Sequence, residues 1–137
     1  MTEKELSQIP RNKAKLQSLK IKIDDLNYKS LVTGQEITGM PFVSGTSDKV
    51  GDYVTKISLL EDKYISLLLE TQRLERRAKV FIRSIPDDTI QTILFLKYIS
   101  CKDNLDIADM LGMRGYNRER RVKNILKTFF LDSMIYL

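Results

Sequence analysis

Residues 50–85 read VGDYVTKISLLEDKYISLLLETQRLERRAKVFIRSI, and the fold turns on how that stretch is paired. Tyr53, Leu60, Leu67, Leu74 and Phe81 form one seven-residue series. Val50, Ile57, Tyr64, Thr71, Ala78 and Ile85 form a second, interleaved with it. Two such series define the apolar seam of a coiled coil, narrower than the face of a globular amphipathic helix. No proline falls between positions 52 and 85, so the helix should run for roughly 50 Å at 1.5 Å per residue.

A seam needs a partner. Upstream, Ile9, Leu16, Leu19, Ile23 and Leu26 share one helical stripe, which predicts a helix over 10–32 with Pro10 in its first turn. Thr2 and Glu5 have capping-box spacing, but Pro10 is expected to interrupt a helix begun there. Residues 33–46 carry Gly34, Gly39, Pro41, Ser44 and Gly45 and are predicted to be a loop, with Met40, Phe42 and Val43 tucked against a helix. Thr46 or Ser47 then caps the long helix, with Asp48 in its first turn. The first helix is thus shorter than the second, and an antiparallel hairpin would leave part of the seam uncovered. The expectation that follows is a homodimer through Val50, Tyr53, Ile57, Leu60, Tyr64, Leu67, Leu74 and Phe81.

Past the seam, Ser84-Ile85-Pro86-Asp87-Asp88-Thr89 is a break followed by helix-start chemistry. Ile90, Ile93, Leu94, Leu96 and Tyr98 give the next helix its apolar face, ending near Ser100. Residues 104–113 then have the logic of the first helix of a helix-turn-helix. Ile107 and Leu111 face inward, Ala108 is small where a second helix crosses, and Gly112 admits a left-handed turn. Asn117 caps a last helix with Val122, Ile125, Leu126 and Phe129 inward; the apolar tail from Phe129 to Leu137 should pack onto the same domain. The fold class is therefore all-α. A helical hairpin with a coiled-coil helix occupies 1–84, and a small helix-turn-helix-like domain occupies 85–137.

Charge is distributed unevenly over this plan. Between positions 113 and 127 stand Arg114, Arg118, Arg120, Arg121, Lys123 and Lys127 against one acid, Glu119, an excess of five. The whole chain, with 23 Lys+Arg and 18 Asp+Glu, carries a formal net charge of +5. The remainder is neutral, so the excess is confined to one short helical segment, which is the electrostatic footprint of a polyanion-binding element. A solvated basic helix face is the plainer alternative. In the helix-turn-helix docking geometry, Arg118 and Arg121 are the candidates for base contact. Arg114, Tyr116, Arg120 and Lys123 suit phosphates, and Asn117 and Lys127 complete the nucleic-acid-binding set. Duplex DNA is the expected partner. Arg73, Arg76, Arg77, Lys79 and Arg83 make the end of the long helix basic too, as outward heptad positions commonly are.

Composition excludes several chemistries. There is no histidine, which removes imidazole catalysis and histidine metal sites. A single cysteine, Cys101, builds neither an internal disulfide nor a zinc cluster. The six glycines match no phosphate-binding loop. Adjacent acid pairs, such as Asp24-Asp25, diverge on a helix and make poor catalytic dyads. No enzyme activity, cofactor or metal is expected. No apolar run approaches the roughly 18 to 20 residues that cross a bilayer, and the charged N-terminus is not a signal peptide. A reducing cytoplasm is the expected compartment.

The linker Gly45-Thr46-Ser47-Asp48-Lys49-Val50, the heptad helix, and then Leu94-Phe95-Leu96-Lys97-Tyr98-Ile99 and Ile107-Ala108-Asp109-Met110-Leu111-Gly112 resemble the small phage- and prophage-encoded regulators of the RinA/ArpU type. Those carry a C-terminal helix-turn-helix similar to region 4 of sigma factors. The resemblance implies a regulator of phage late-gene transcription, acting in the cytoplasm of a Gram-positive bacterial host cell. In that family the glycine is followed within about two residues by the residue capping the recognition helix, whereas here Arg114-Gly115-Tyr116 intervene before Asn117. The lengthened turn motivates a second expectation. This is a phage-encoded inhibitor or adaptor, anti-CRISPR-like, that docks on host RNA polymerase or another host nucleic-acid machine.

Overall fold

The computed structural model describes the backbone of residues 1–37 and 44–135, and side chains for 1–33 and 50–133. Five α-helices follow in order: α1 (Glu3–Ile37), α2 (Ser44–Arg83), α3 (Asp88–Leu94), α4 (Asn104–Met110) and α5 (Arg118–Ile135). A π-helical turn, Phe95–Ile99, extends α3. No strand occurs among the described residues, so the protein is all-α.

α1 corrects two expectations. It starts at Glu3 rather than near position 10 and passes through Pro10. The Thr2 hydroxyl oxygen accepts the Glu5 N–H at 3.2 Å, which is half of the anticipated capping box. A proline inside a helix removes one hydrogen bond and crowds the preceding turn, at a cost of about 3 kcal/mol. Leu6 and Ile9, both fully buried, offset that cost, because they enter the core only if this turn is helical. α1 also continues to Ile37, and α2 begins at Ser44, so the connection is shorter than 33–46. A lone glycine such as Gly34 weakens a helix by only about 1 kcal/mol and does not stop it. Neither Thr46 nor Ser47 is the cap, since both lie inside α2. The placement expected for Met40, Phe42 and Val43 lies outside the described residues.

The seam runs as the heptads require, but its partner is internal. Val50, Tyr53, Ile57, Leu60, Tyr64, Leu67 and Phe81 are half-buried, and Thr71, Leu74, Ala78 and Ile85 are buried. With 35 residues against 40, α1 is nearly as long as α2. Helix length alone therefore leaves no stretch of α2 without α1 beside it, while the seam residues between Val50 and Leu67 stay half-buried.

The chain divides into two compact units, Met1–Arg11 with Thr71–Leu137, and Asn12–Glu70. The boundary differs from the one expected at 84/85 because both ends of the hairpin belong to the C-terminal core. In that first unit, the head, Leu6, Ile9, Leu74, Ala78 and Ile82 form one cluster with Ile93, Leu94, Tyr98, Ile107, Val122, Leu126 and Phe130. Glu5 stands 3.7 Å from Arg77 on its rim. The second unit is a two-helix hairpin in which Asn12 and Leu16 are the buried residues among those described. Lys15, Ser18 and Lys22 of α1 share a groove there with Lys63, Ser66 and Glu70 of α2, an antiparallel register. Among the described residues, no helix is long and apolar enough to cross a membrane.

The π turn has a legible cause. Ile93-Leu94 and Tyr98-Ile99 are two apolar pairs five residues apart, and all four side chains are buried. A regular α-helix turns about 100° per residue, so the second pair would sit about 140° from the first. An i→i+5 turn, seen in the Ser100 N–H to Phe95 carbonyl bond of 3.0 Å, brings both pairs to the core.

Candidate nucleic-acid interface

The candidate interface is built by α4, α5 and the seven residues joining them. Asp103 caps α4, its carboxylate accepting the Asp106 N–H at 2.7 Å. Ile107 and Ala108 are fully buried, as the sequence requires of the helix that α5 crosses. α4 closes in a Schellman arrangement. The Met113 N–H donates to the Ala108 carbonyl at 2.9 Å and the Gly112 N–H to that of Asp109 at 3.1 Å. Gly112 takes φ +74, the left-handed conformation expected of it.

From Met113 the chain makes a second reversal at Gly115, with φ +114. Two arginines hold it. Arg118 places Nε 2.6 Å from the Asp109 carboxylate and donates from Nη1 to the Gly115 carbonyl at 3.2 Å. Arg121 donates from Nη2 to the Arg114 carbonyl. Arg118 and Arg121, the residues expected to contact bases, thus both bind the turn from α5 in this structure. A five-residue excursion with no secondary structure has backbone carbonyls to satisfy, and the two guanidinium groups nearest to it are used for that.

α5 starts at Arg118 with Asn117 at its cap position, the Asn117 carbonyl accepting the Arg121 N–H at 3.0 Å. Its inner face matches the sequence reading. Val122 and Leu126 are buried, and Ile125 and Phe129 are half-buried against the core. Aromatic contacts seat the helix. Phe129 lies 6.5 Å from Phe81 and 5.2 Å from Phe130, and Phe130 meets Tyr98 edge-on at 6.4 Å. The expected packing of the tail thus holds for Phe129 and Phe130, whereas Leu131 is exposed.

On the outer face, Arg120, Lys123 and Lys127 follow at spacings of three and four, which places them on one stripe, all exposed. Among the described residues none of the three has an ion-pair partner. Arg114 is exposed on the turn, and Tyr116 at its tip is 98% exposed.

The chain matches no protein family, no curated protein and no solved structure. The site is therefore read from its own geometry.

For one residue the sequence offered only an apolar stem beside Leu96, not a polar role. Lys97, in the π turn, is half-buried and donates from Nζ to Asn104 Oδ1 at 3.2 Å, with the Tyr98 ring 5.8 Å away. Burial pushes its pKa below the usual lysine range; Glu3 opposes that shift and Lys123 adds to it. Its neighbour Tyr98 is raised to about 12, chiefly by burial. Only the five-residue spacing of apolar pairs could have signalled the π turn. Among the described residues no cluster of three potential metal ligands occurs.

Proposed function

We propose that the protein binds duplex DNA through the outer face of α5, and that it acts as a transcriptional regulator of the phage type its sequence resembles. The observation that carries the reading is the stripe of Arg120, Lys123 and Lys127. These are three exposed cations on one face of a helix whose opposite face is fixed in the core. Exposed cations on a helix anchored by its other face, with no internal carboxylate partner among the described residues, are suited to replace the counterions of a phosphate backbone. Arg114 and Lys97 extend the set at either flank. Arg118 and Arg121 act from behind by shaping the turn.

Counterion release makes the test quantitative. Each phosphate contact contributes about 0.9 to the slope of log affinity against log salt concentration. Replacing Arg120, Lys123 and Lys127 together by Gln should lower that slope by about 2.7 and weaken retention on any duplex, with far-UV helicity unchanged. Retention equal to wild type would reject the proposal.

The lengthened, arginine-held turn favours a second reading, in which the same surface docks on a host nucleic-acid machine such as RNA polymerase, as an inhibitor or adaptor. Capture from host lysate with and without nuclease separates the two. Partners that vanish after nuclease treatment support DNA binding, and partners that persist support docking.

A further inference from the structure

We propose that Tyr116 reads a base pair, held rigidly ahead of α5 by Arg118 and Arg121. The inference rests on the DNA-binding reading and adds the source of sequence preference within that interface.

Tyr116 has the largest exposure among the large apolar side chains described, at 98%. The backbone beneath it is nevertheless fixed on both sides. Upstream, the Schellman bonds and the φ +74 of Gly112 close α4. Arg118, whose other edge holds Asp109, and Arg121 reach back from α5 to the Gly115 and Arg114 carbonyls, and downstream the Asn117 carbonyl accepts the Arg121 N–H. Three side chains are thus committed to a turn whose apex carries a bare aromatic ring. An aromatic presented on a fixed backbone loses little conformational freedom on contact, which is the property of a recognition anchor.

Its position also matters. Tyr116 lies two residues before the first residue of α5. A recognition helix enters the major groove with its N-terminal residues against base edges, so Tyr116 would lead and the stripe of Arg120, Lys123 and Lys127 would follow along the phosphates. A tyrosine hydroxyl can donate to a phosphate, the role expected of it from the sequence, but that contact would leave the exposed ring unused. Its ring offers an apolar face to the thymine 5-methyl group, and its hydroxyl can meet an acceptor or donor on a base edge. The ligand is therefore an A·T pair in the major groove. Arg114, exposed beside it, is left for the backbone.

Selection of bound duplexes from a random library, at two salt concentrations, tests this with wild type, Tyr116→Ala, Tyr116→Phe and the triple Gln variant. Tyr116→Ala should keep the salt slope and lose about tenfold preference at one or two adjacent base pairs. Tyr116→Phe should keep most of it. Replacing the preferred thymine by uracil should reduce wild-type binding by a similar factor and leave Tyr116→Ala unaffected. The triple Gln variant should lose slope but select the same bases. A Tyr116→Ala variant with undiminished preference, or one that loses slope instead, overturns the proposal. Steep salt dependence without any preference in wild type overturns it while sparing the DNA-binding reading, and no binding to any duplex overturns both. Loss of a nuclease-resistant host protein from Tyr116→Ala, with DNA retention unchanged, reassigns the residue to a protein partner.

Discussion

Arg118 shows how one residue's role is decided by what it touches. Its guanidinium and the Asp109 carboxylate are 31% and 54% exposed, and a pair in that environment contributes at most about 1 kcal/mol. Its larger effect is on order. Arg118→Ala should change global stability by less than about 1 kcal/mol yet accelerate amide exchange across 113–117, which mass spectrometry would detect. Unchanged exchange in that segment would mean the turn is held by other means. Gly112 is a separate case. A Cβ there meets nothing within 4 Å, so Gly112→Ala should cost only the left-handed backbone, about 1 kcal/mol by urea unfolding. Tyr98 makes a pH-dependent contribution. Its side chain is 2% exposed, hydrogen-bonded with Ser7, and has its pKa raised from 10 to about 12 by burial, with Glu3 adding to the rise. A raised pKa means the folded state holds the proton more tightly. The associated stability is complete below pH 10 and is lost as pH rises through about 12. Wild type should therefore lose up to about 2 kcal/mol more than Tyr98→Phe between pH 9 and pH 12, measured by urea midpoints. Parallel titration of the two would contradict the burial argument.

At the scale of the element, α1 and α5 show opposite relations between pattern and structure. The inward face of α5, Val122, Ile125, Leu126 and Phe129, was readable because one stripe meets one core. The seam of α2 was readable for the same reason, since heptad spacing depends on no distant residue. The start of α1 was not, because the local penalty at Pro10 is outweighed by Leu6 and Ile9 joining a core whose other members, Leu74 to Phe130, come much later in the chain. The roles of Arg118 and Arg121 were hidden similarly. Sequence gives their charge and helical phase, but the carbonyls they satisfy exist only once the turn has its shape. Pro10 provides a direct check. Removing it restores a donor to the helix and relieves the ring's contact with the preceding turn, so Pro10→Ala should raise stability by about 1 to 3 kcal/mol. A fall in melting temperature would show that the proline ring itself packs productively in the head.

At the scale of the molecule, the two units differ in how their apolar residues are enclosed. The head combines six helical segments around fully buried Leu6, Ile9, Ile93, Leu94, Ile107 and Val122. The unit Asn12–Glu70 has two helices, and two helices cannot surround a seam; Tyr53, Ile57, Leu60, Tyr64 and Leu67 remain half-buried. Burial scales with area removed from water, so equal truncations should have unequal effects. Ile93→Ala should cost about 2 to 5 kcal/mol, the range for a fully buried aliphatic side chain, whereas Ile57→Ala should cost about 1 kcal/mol. Native-state amide exchange should show the same order, with slow exchange in α3 and α5 and faster exchange over the hairpin. The ordering bears on function, because an element that reads DNA must be held in place by its own core. If Ile57→Ala proved as damaging as Ile93→Ala, a second chain or a partner would have to be enclosing the hairpin seam. The homodimer expected from the heptads would then have direct support.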